Sequence, residues 1–367
     1  MTPPPPFVPG LELSRRFHLD ALRTLLKETF PRITYSAARL GSGSEVLGFD
    51  TPRSADHAWG PRLTVFLELR DRARLGTEIE DLLAERLPKT FCGYPTHFAE
   101  TGDAGIGVMR ETDGPVRHRV GVTDPETWFT EHLGFDPCGG EETAGDWPAT
   151  PGQRLAEVTG GAVFHDGLGV IAPAPARLAR YPHDIRLHLL ACQWRRVSQE
   201  EAFVGRCGEV GDELGSAVVA ARLVRDLTRL CLLTDHRYPP YSKWLGSAFA
   251  RTPWAAGLTP VLTAVLAATG WRVRERHLAD AYEAVAVAHN ATGLTDPVDP
   301  TARPYHSRPF RVLHAERFAE ALVARIGDPD IRALPVTGAV DQFADSTDVL
   351  SRPDRARAVT RAVIRTG

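Results

Sequence analysis

The sequence predicts an α+β protein, in which a mixed β-sheet flanked by helices is followed by a mainly helical C-terminal domain. Two observations carry this prediction. In the first third of the 367-residue chain, short segments with strand-like composition alternate with amphipathic helix patterns. Further along, apolar residues recur at helical spacing in one segment after another. Segregation of strands from helices along the chain is typical of α+β organisation.

A proline-rich arm, residues 1–10, precedes the first predicted domain, residues 11–124. Apolar residues at helical spacing predict a helix over residues 11–29 and another over residues 76–87. Strands are predicted at residues 35–40 and 62–67, on either side of a glycine-rich turn. Residues 96–100 and 117–122 are predicted to be later strands of the same sheet.

The second predicted domain, residues 125–335, begins with a hairpin at residues 163–171, where Asp166-Gly167 suits a two-residue turn. Its helices are predicted at residues 186–197, 199–204, 211–234, 260–268, 274–288 and 315–326. The C-terminal tail, residues 336–367, is expected to pack back on the body, because Phe343, Val349 and Leu350 need burial.

Composition limits the classes of partner. The chain has 43 Lys and Arg against 46 Asp and Glu, so its net charge of −3 gives no electrostatic reason to expect nucleic acid. Five scattered cysteines without a C-x-x-C pair indicate reduced thiols. The N-terminus lacks the features of a signal peptide, and no apolar run reaches about 20 residues. We therefore expect a cytoplasmic protein without membrane association, whose oligomeric state is left open.

The most informative motif is a small-residue turn followed by a carboxylate. Gly43 and Ser44, preceded by Gly41-Ser42, offer backbone N–H groups and a hydroxyl to a phosphate. Asp56, about a dozen residues later, can hold the metal ion that the phosphate carries. The pattern predicts nucleotide binding, and its structural alternative is a flexible loop.

This segment resembles the signature of the polymerase-β-like nucleotidyltransferases, in which a Gly-Ser turn precedes a strand bearing two carboxylates one residue apart. The first carboxylate falls on Asp56, but the second position is Ala58, which cannot bind a metal. His57 does not replace it, because adjacent side chains of a strand point to opposite faces. The resemblance implies a nucleotidyltransferase-like sheet that uses Mg²⁺ with a nucleoside triphosphate. It also implies a third carboxylate on a later strand, for which Glu100 and Asp124 are candidates.

Longer motifs resemble a largely uncharacterised bacterial family, domain of unknown function 4037. They occupy residues 56–62, 128–129, 133–137, 199–216 and 240–249, and the resemblance extends from about residue 41 to residue 348.

Two further groups of residues have the chemistry of a site. Ionisable residues gather at two predicted helix ends around a predicted glycine-rich turn, residues 205–208. There Gln199, Glu200 and Arg206 are candidates to bind substrate, and Glu201 and Asp212 are candidates to act as bases. The alternative is that they cap helix ends and pair with one another. Farther on, a loop made rigid by prolines presents Tyr241 as a candidate substrate contact and Lys243 as a candidate phosphate contact. The alternative is that the aromatic residues anchor the loop and the lysine is merely exposed.

Three functions follow from these residues. The first is transfer of a nucleoside monophosphate from a nucleoside triphosphate to a hydroxyl or carboxylate of a small molecule. In this reaction Asp56 would bind the metal, and Arg62 or Lys243 would bind the leaving pyrophosphate. Glu201 or Asp212 would act as the base. The second keeps the fold for metal-independent acid–base chemistry on a secondary-metabolite intermediate, in which Asp56 and His57 take part. The third is a non-catalytic nucleotide-binding protein. The sequence lacks a Walker A motif, a dinucleotide-binding fingerprint and a nucleophile elbow.

Overall fold

The computed structural model describes residues 5–100, 107–140 and 143–364, which form two compact units. The first unit consists of the described residues up to 140 together with residues 154–179. The second consists of residues 143–153 and of the described residues from 180 onward. This division differs from the predicted boundary after residue 124, because residues 125–140 and 154–179 belong to the first unit.

The first half of the chain contains eight described strands and seven described α-helices. The strands are β1 (Tyr35–Arg39), β2 (Arg62–Leu67), β3 (Thr90–Phe91), β4 (Tyr94–Pro95), β5 (His97–Glu100), β6 (Gly107–Arg110), β7 (Arg119–Thr123) and β8 (Ala162–Asp166). The helices are α1 (Gly10–Phe17), α2 (Arg23–Thr29), α3 (Leu69–Arg86), α4 (Pro125–Leu133), α5 (Asp146–Ala149), α6 (Gly152–Thr159) and α7 (Pro173–Arg177). Of these, α5 and the first two residues of α6 belong to the second unit.

A four-stranded mixed sheet with the order β7-β2-β1-β8 organises the first unit. Strand β1 is antiparallel to β2 and to β8, whereas β2 and β7 run parallel. Helices α1 and α2 are joined by a π-helical segment, His18–Leu22, so the predicted helix over residues 11–29 is confirmed. The mixed sheet with helices agrees with the predicted mixture of α and β structure.

Alternation along β2 separates the two faces of this sheet. Leu63, Val65 and Leu67 are buried in the core of the first unit. The helical residues packed in the same core include Phe17, Leu22, Leu26, Ile79 and Leu83. Helix α3 begins at Leu69, earlier than the predicted start at residue 76. Periodicity did not predict its first turns, because they are charged and show no apolar stripe. The intervening β2 residues, Arg62, Thr64 and Phe66, belong to the other face.

Two predictions about strands are wrong. Residues 163–171 do not form a hairpin: β8 pairs with β1, and the carboxylate of Asp166 accepts the backbone N–H groups of Gly169 and Ala172 at 3.0 and 2.8 Å. These bonds close a loop where a second strand was expected. Strand β5, predicted to join the main sheet, pairs instead with β6 in a separate two-stranded sheet.

The second unit is mainly helical in its described residues. Its remaining helices are α8 (His183–Glu200), α9 (Phe203–Glu209), α10 (Glu213–Thr234), α11 (Ser242–Phe249), α12 (Ala255–Ala267), α13 (Trp271–Ala291), α14 (Glu316–Ala324), α15 (Pro329–Arg332), α16 (Val340–Phe343), α17 (Thr347–Leu350) and α18 (Pro353–Ile364). Strands β9 (Arg303–Tyr305) and β10 (Arg308–Val312) form a two-stranded sheet. Helix α8 packs against α10 and α14, and α13 packs against α10 and α12.

The prediction of a glycine-rich turn at residues 205–208 is wrong, because these residues lie inside helix α9. A Cβ on Gly208 would lie 2.0 Å from Cγ of Trp271, so this glycine makes room for the indole ring. The chain turns afterwards at Gly211, where φ is +82°. Among the described residues, no helix combines the length and the apolar composition needed to cross a bilayer.

Candidate anion-binding site

A polar pocket of about 260 Å³ opens on the second face of the four-stranded sheet. Basic residues, small residues and two aromatic rings share its wall, and no carboxylate is among its lining residues in the part of the chain that the structure describes. The lining residues are Arg39, Leu40, Gly41, Ser42, Arg62, Leu63, Thr64, Arg119, Gly121, Trp128 and His132.

Strand pairing brings two of the arginines together. In the parallel pair β2–β7, Arg62 is aligned with Arg119 and Thr64 with Gly121. Aligned residues of neighbouring strands point to the same face, and both arginines line the pocket. The guanidinium carbon of Arg119 also lies 5.5 Å from the ring centre of Phe98. Gly121, which also lines the pocket, leaves space beside Thr64, because a Cβ at this position would have Thr64 Oγ1, at 3.7 Å, as its nearest neighbour.

Arg39 and Arg62 share one buried carboxylate, that of Glu45. Glu45 Oε1 accepts from Arg39 Nε at 2.9 Å, from Arg62 Nε at 3.0 Å and from Arg62 Nη2 at 2.6 Å. Burial raises the pKa of Glu45, but the two guanidinium groups outweigh it and the net pKa is lowered. Burial, with Arg62 nearby, lowers the pKa of Arg39 to about 10. Glu45 and Arg39 are therefore both charged at neutral pH.

The glycine turn folds over this cluster. Both arginines donate to the carbonyl oxygen of Ser42, Arg62 through Nη2 at 3.4 Å. A Cβ on Gly43 would lie 2.5 Å from Glu45 Oε2 and 2.6 Å from Nη2 of each arginine, so only glycine fits. Gly41 has φ of +88° and donates its N–H to the carbonyl of Glu157 at 2.9 Å. The turn is thus fixed in the first unit by buried contacts.

Trp128 and His132 form an aromatic wall one turn apart on helix α4. Their rings stack with centroids 4.8 Å apart and planes 15° apart. His132 Nε2 lies 3.1 Å from Glu157 Oε2, and Arg154 Nη1 lies 3.2 Å from the same oxygen. This second buried carboxylate is therefore paired with Arg154 and lies next to the His132 ring. The stacked pair is held in place next to the arginines.

The predicted metal ligand lies elsewhere. Asp56 ends the 3₁₀ helix Pro52–Asp56 before β2, is exposed, and is not among the residues that line the pocket. Its Oδ1 lies 2.8 Å from Nδ1 of His57. Asp50, the nearest upstream acid, accepts from the backbone N–H of Gly10 at 2.7 Å and from Trp59 Nε1 at 3.2 Å. Ala58 has φ of +48° and lies outside any strand.

The predicted metal ligands are not brought together. Among the described residues, no three His, Cys, Asp or Glu side chains are grouped to hold a metal ion. Asp124, a candidate third carboxylate, caps helix α4 by accepting from Thr127 N at 2.9 Å and pairs with Arg72 at 3.2 Å. Glu100, the other candidate, lies on β5 and pairs with Arg117 at 3.2 Å.

The predicted nucleotide-binding residues of the first unit are partly in the pocket. Arg62 lines it, as do Gly41 and Ser42, whereas Gly43 and Ser44 follow directly in the same turn. Sequence reasoning missed Arg39, Glu45 and Arg119 as site residues. The available signal was the alternation of Arg62-Leu63-Thr64 and Arg119-Val120-Gly121, which places basic and small residues on one face of two strands.

The acids predicted in the second unit have local partners. Glu201 is buried, and its carboxylate accepts from the backbone N–H groups of Leu313 at 2.7 Å and Ala315 at 3.1 Å. Burial raises its pKa to about 7 against the opposing effect of these bonds. Asp212 caps helix α10 by accepting from Gly215 N at 2.7 Å. Glu200 Oε1 lies 2.7 Å from Arg222 Nη2.

The other predicted contacts of this unit are exposed. The guanidinium carbon of Arg206 lies 5.4 Å from the ring centre of Phe203, and Lys243 Nζ lies 4.9 Å from that of Trp244. Tyr241 donates its backbone N–H to Gln153 Oε1 at 3.0 Å. Gln199 lies exposed near the end of helix α8.

A comparison with protein-family models supports the family resemblance for part of the chain. Residues 147–245 match the model of a domain of unknown function, DUF4037. The match includes the motif at residues 199–216 and the beginning of that at residues 240–249, whereas the motifs at residues 56–62, 128–129 and 133–137 lie outside it. No curated protein and no solved structure matches the chain.

Proposed function

We propose that the first unit binds a phosphorylated small molecule, such as a nucleotide, with its phosphate against Arg62 and Arg119. The observation that carries the proposal is the alignment of these two arginines on parallel strands beside the Gly41–Ser42 turn. Guanidinium groups bind phosphate through paired, charge-assisted hydrogen bonds, which makes arginine well suited to this ligand.

The shape of the pocket also suits a ligand that has a ring as well as a phosphate. Trp128 is half-buried, and His132 covers one of its faces. A base or sugar packed at this wall would gain stacking or apolar contact beside the phosphate. The pocket volume of about 260 Å³ accommodates part of a nucleotide, and the remainder would extend to solvent.

Isothermal titration calorimetry with ATP, in the presence and absence of Mg²⁺, tests this proposal. We expect binding in both conditions, because the pocket supplies cations rather than carboxylates. Arg62→Met and Arg119→Met should each weaken binding at least tenfold, since each removes a charge-assisted contact worth about 1.5–3 kcal/mol. Arg70→Met is the matched control, because Arg70 is an exposed arginine of helix α3 that pairs with Glu68. Equal binding by all four proteins would refute the proposal.

Nucleotidyl transfer is the second candidate function. It is favoured by the order of elements in the first unit: helix, strand β1, Gly-Ser turn, antiparallel strand β2, helix α3 and parallel strand β7. This order agrees with the sequence resemblance. A pyrophosphate-release assay with Mg²⁺, ATP and a panel of small acceptors tests it, with Asp56→Asn as the diagnostic variant. Release that is unaffected in Asp56→Asn would contradict the role assigned to Asp56.

A further inference from the structure

A row of small side chains crosses the four-stranded sheet at the pocket. Ala38 of β1 is aligned with Thr64 of β2, which in turn is aligned with Gly121 of β7. Aligned residues of neighbouring strands point to the same face. Ala38 is buried, whereas Thr64 is half-buried and Gly121 is exposed, so the row opens to solvent beside Thr64. Thr64 therefore carries the only polar side-chain atom of these three residues.

The hydroxyl of Thr64 borders the open part of the pocket. A Cβ on Gly121 would lie 3.7 Å from Thr64 Oγ1 and 3.9 Å from Thr64 Cγ2, so both atoms face the space that the glycine leaves. Within the described residues, this hydroxyl has no hydrogen-bond partner. A hydroxyl can donate and accept, and a β-branched side chain has few rotamers. Thr64 thus offers a ligand one polar atom in a nearly fixed position.

Thr64 also lies between the cationic and the aromatic parts of the pocket. Arg62, Thr64 and Phe66 share one face of β2, with successive members about 6.6–6.8 Å apart along the strand. The ring of Phe66 makes a T-shaped contact with Trp128, with centroids 5.8 Å apart and planes at 81°. A ligand with its phosphate on Arg62 and its ring on Trp128 would place the group that joins them beside Thr64. In a nucleotide, that group is the pentose.

We infer that Thr64 is a specificity-determining residue, whose hydroxyl forms a hydrogen bond with a hydroxyl of the pentose. This inference rests on the proposed binding of a phosphorylated ligand and names the kind of ligand that the pocket prefers. The arginines bind any phosphate, whereas Thr64 adds a contact that only a ligand with a hydroxyl between its phosphate and its ring can make. The pocket then distinguishes a ribonucleotide from an analogue without ribose hydroxyls.

A merely structural role for Thr64 predicts a different result. Threonine is common in strands because its β-branched side chain suits the pleated surface, and valine has the same shape and the same preference. Thr64→Val therefore keeps the strand and removes only the hydroxyl. If this hydroxyl contacts the pentose, the change should weaken the binding of ligands that carry ribose hydroxyls and of no others.

The experiment titrates three ligands into the full-length protein by calorimetry: ATP, 2′,3′-dideoxy-ATP, which lacks both ribose hydroxyls, and phenyl phosphate, which lacks the pentose. The wild type should bind ATP about three- to tenfold more tightly than the dideoxy compound, as expected for one hydrogen bond. Thr64→Val should bind the two nucleotides equally and phenyl phosphate like the wild type. Thr64→Ser, which keeps a hydroxyl, should retain the preference for ATP. Thr90→Val, at an exposed position of β3, is the matched control and should resemble the wild type.

Each outcome decides the question. Equal affinity of the wild type for ATP and the dideoxy compound would overturn the inference and leave phosphate binding intact. A folded Thr64→Val protein that keeps the preference for ATP, or that loses affinity for all three ligands alike, would also overturn it. Absence of binding of every ligand to the wild type would refute the proposed function, and the inference with it. If Thr64→Val fails to fold, as judged by circular dichroism, Thr64→Ala takes its place, with the same loss of preference expected.

Discussion

Replacing Gly43 by alanine should both destabilise the protein and damage the pocket. The new Cβ would lie 2.5 Å from Glu45 Oε2 and 2.6 Å from Nη2 of Arg39 and of Arg62. These atoms belong to side chains that are 2%, 8% and 13% exposed, so they cannot move aside into solvent. Overpacking of this kind costs about 1–3 kcal/mol, and the lower entropy of the unfolded alanine chain returns less than about 1 kcal/mol.

We therefore expect Gly43→Ala to lower the free energy of unfolding by about 1–2 kcal/mol, measured by urea denaturation. Phenyl phosphate should also bind more weakly, because the guanidinium groups are pushed apart. Gly76→Ala is the matched control, because it should change the free energy of unfolding in the opposite direction. Gly76 lies inside helix α3, the nearest atom to its added Cβ is 3.8 Å away, and alanine should stabilise the helix by about 1 kcal/mol. Equal stability of Gly43→Ala and wild type would refute the reasoning.

Two further predictions concern the pocket and the second unit. Gly121→Val should fill the space beside Thr64 in the pocket and reduce ligand affinity more than tenfold, with the unfolding free energy unchanged or raised by about 0.5–1 kcal/mol. Unchanged affinity in calorimetry would contradict this. The pKa of Glu201 is raised from 4.5 to about 7 in the folded state, so its contribution to stability is present below about pH 4.5 and is lost as pH rises toward about 7. In Glu201→Gln, the fall in the free energy of unfolding between pH 5 and 8 should be smaller by up to about 3 kcal/mol. Glu209→Gln, at an exposed position, should show the same fall as the wild type. Parallel stability–pH curves for wild type and Glu201→Gln would show that Glu201 is not responsible.

The sequence was most informative where side-chain periodicity is simple. Apolar residues at helical spacing predicted the helix over residues 11–29, and the strands at residues 35–40 and 62–67 appear as β1 and β2. It was least informative where a distant partner decides the local structure. Residues 205–208 are helical, and their two glycines do not mark a turn. Glycine stands at these positions because Trp271 and Phe310 occupy the space that side chains of Gly208 and Gly205 would take.

The candidate site illustrates the same limit. A turn with a following acid predicts a phosphate site, and the turn does border the pocket through Gly41 and Ser42. However, the register that aligns Arg62 with Arg119 depends on pairing between strands far apart in the chain. Likewise, Asp56 was expected to enter a strand, whereas the 3₁₀ helix Pro52–Asp56 ends at this residue and leaves it exposed before β2. Neither feature is encoded in local spacing.

The most direct test of phosphate binding is a calorimetric titration of ATP into the wild type, Arg119→Met and Arg70→Met without added metal. Arg119 is aligned with Arg62 in the pocket, whereas Arg70 is exposed on helix α3. If the aligned arginines hold the phosphate, the wild type and Arg70→Met bind with equal affinity and Arg119→Met binds at least tenfold more weakly. Equal affinity of Arg119→Met and the wild type, or no binding by any of the three, would contradict it.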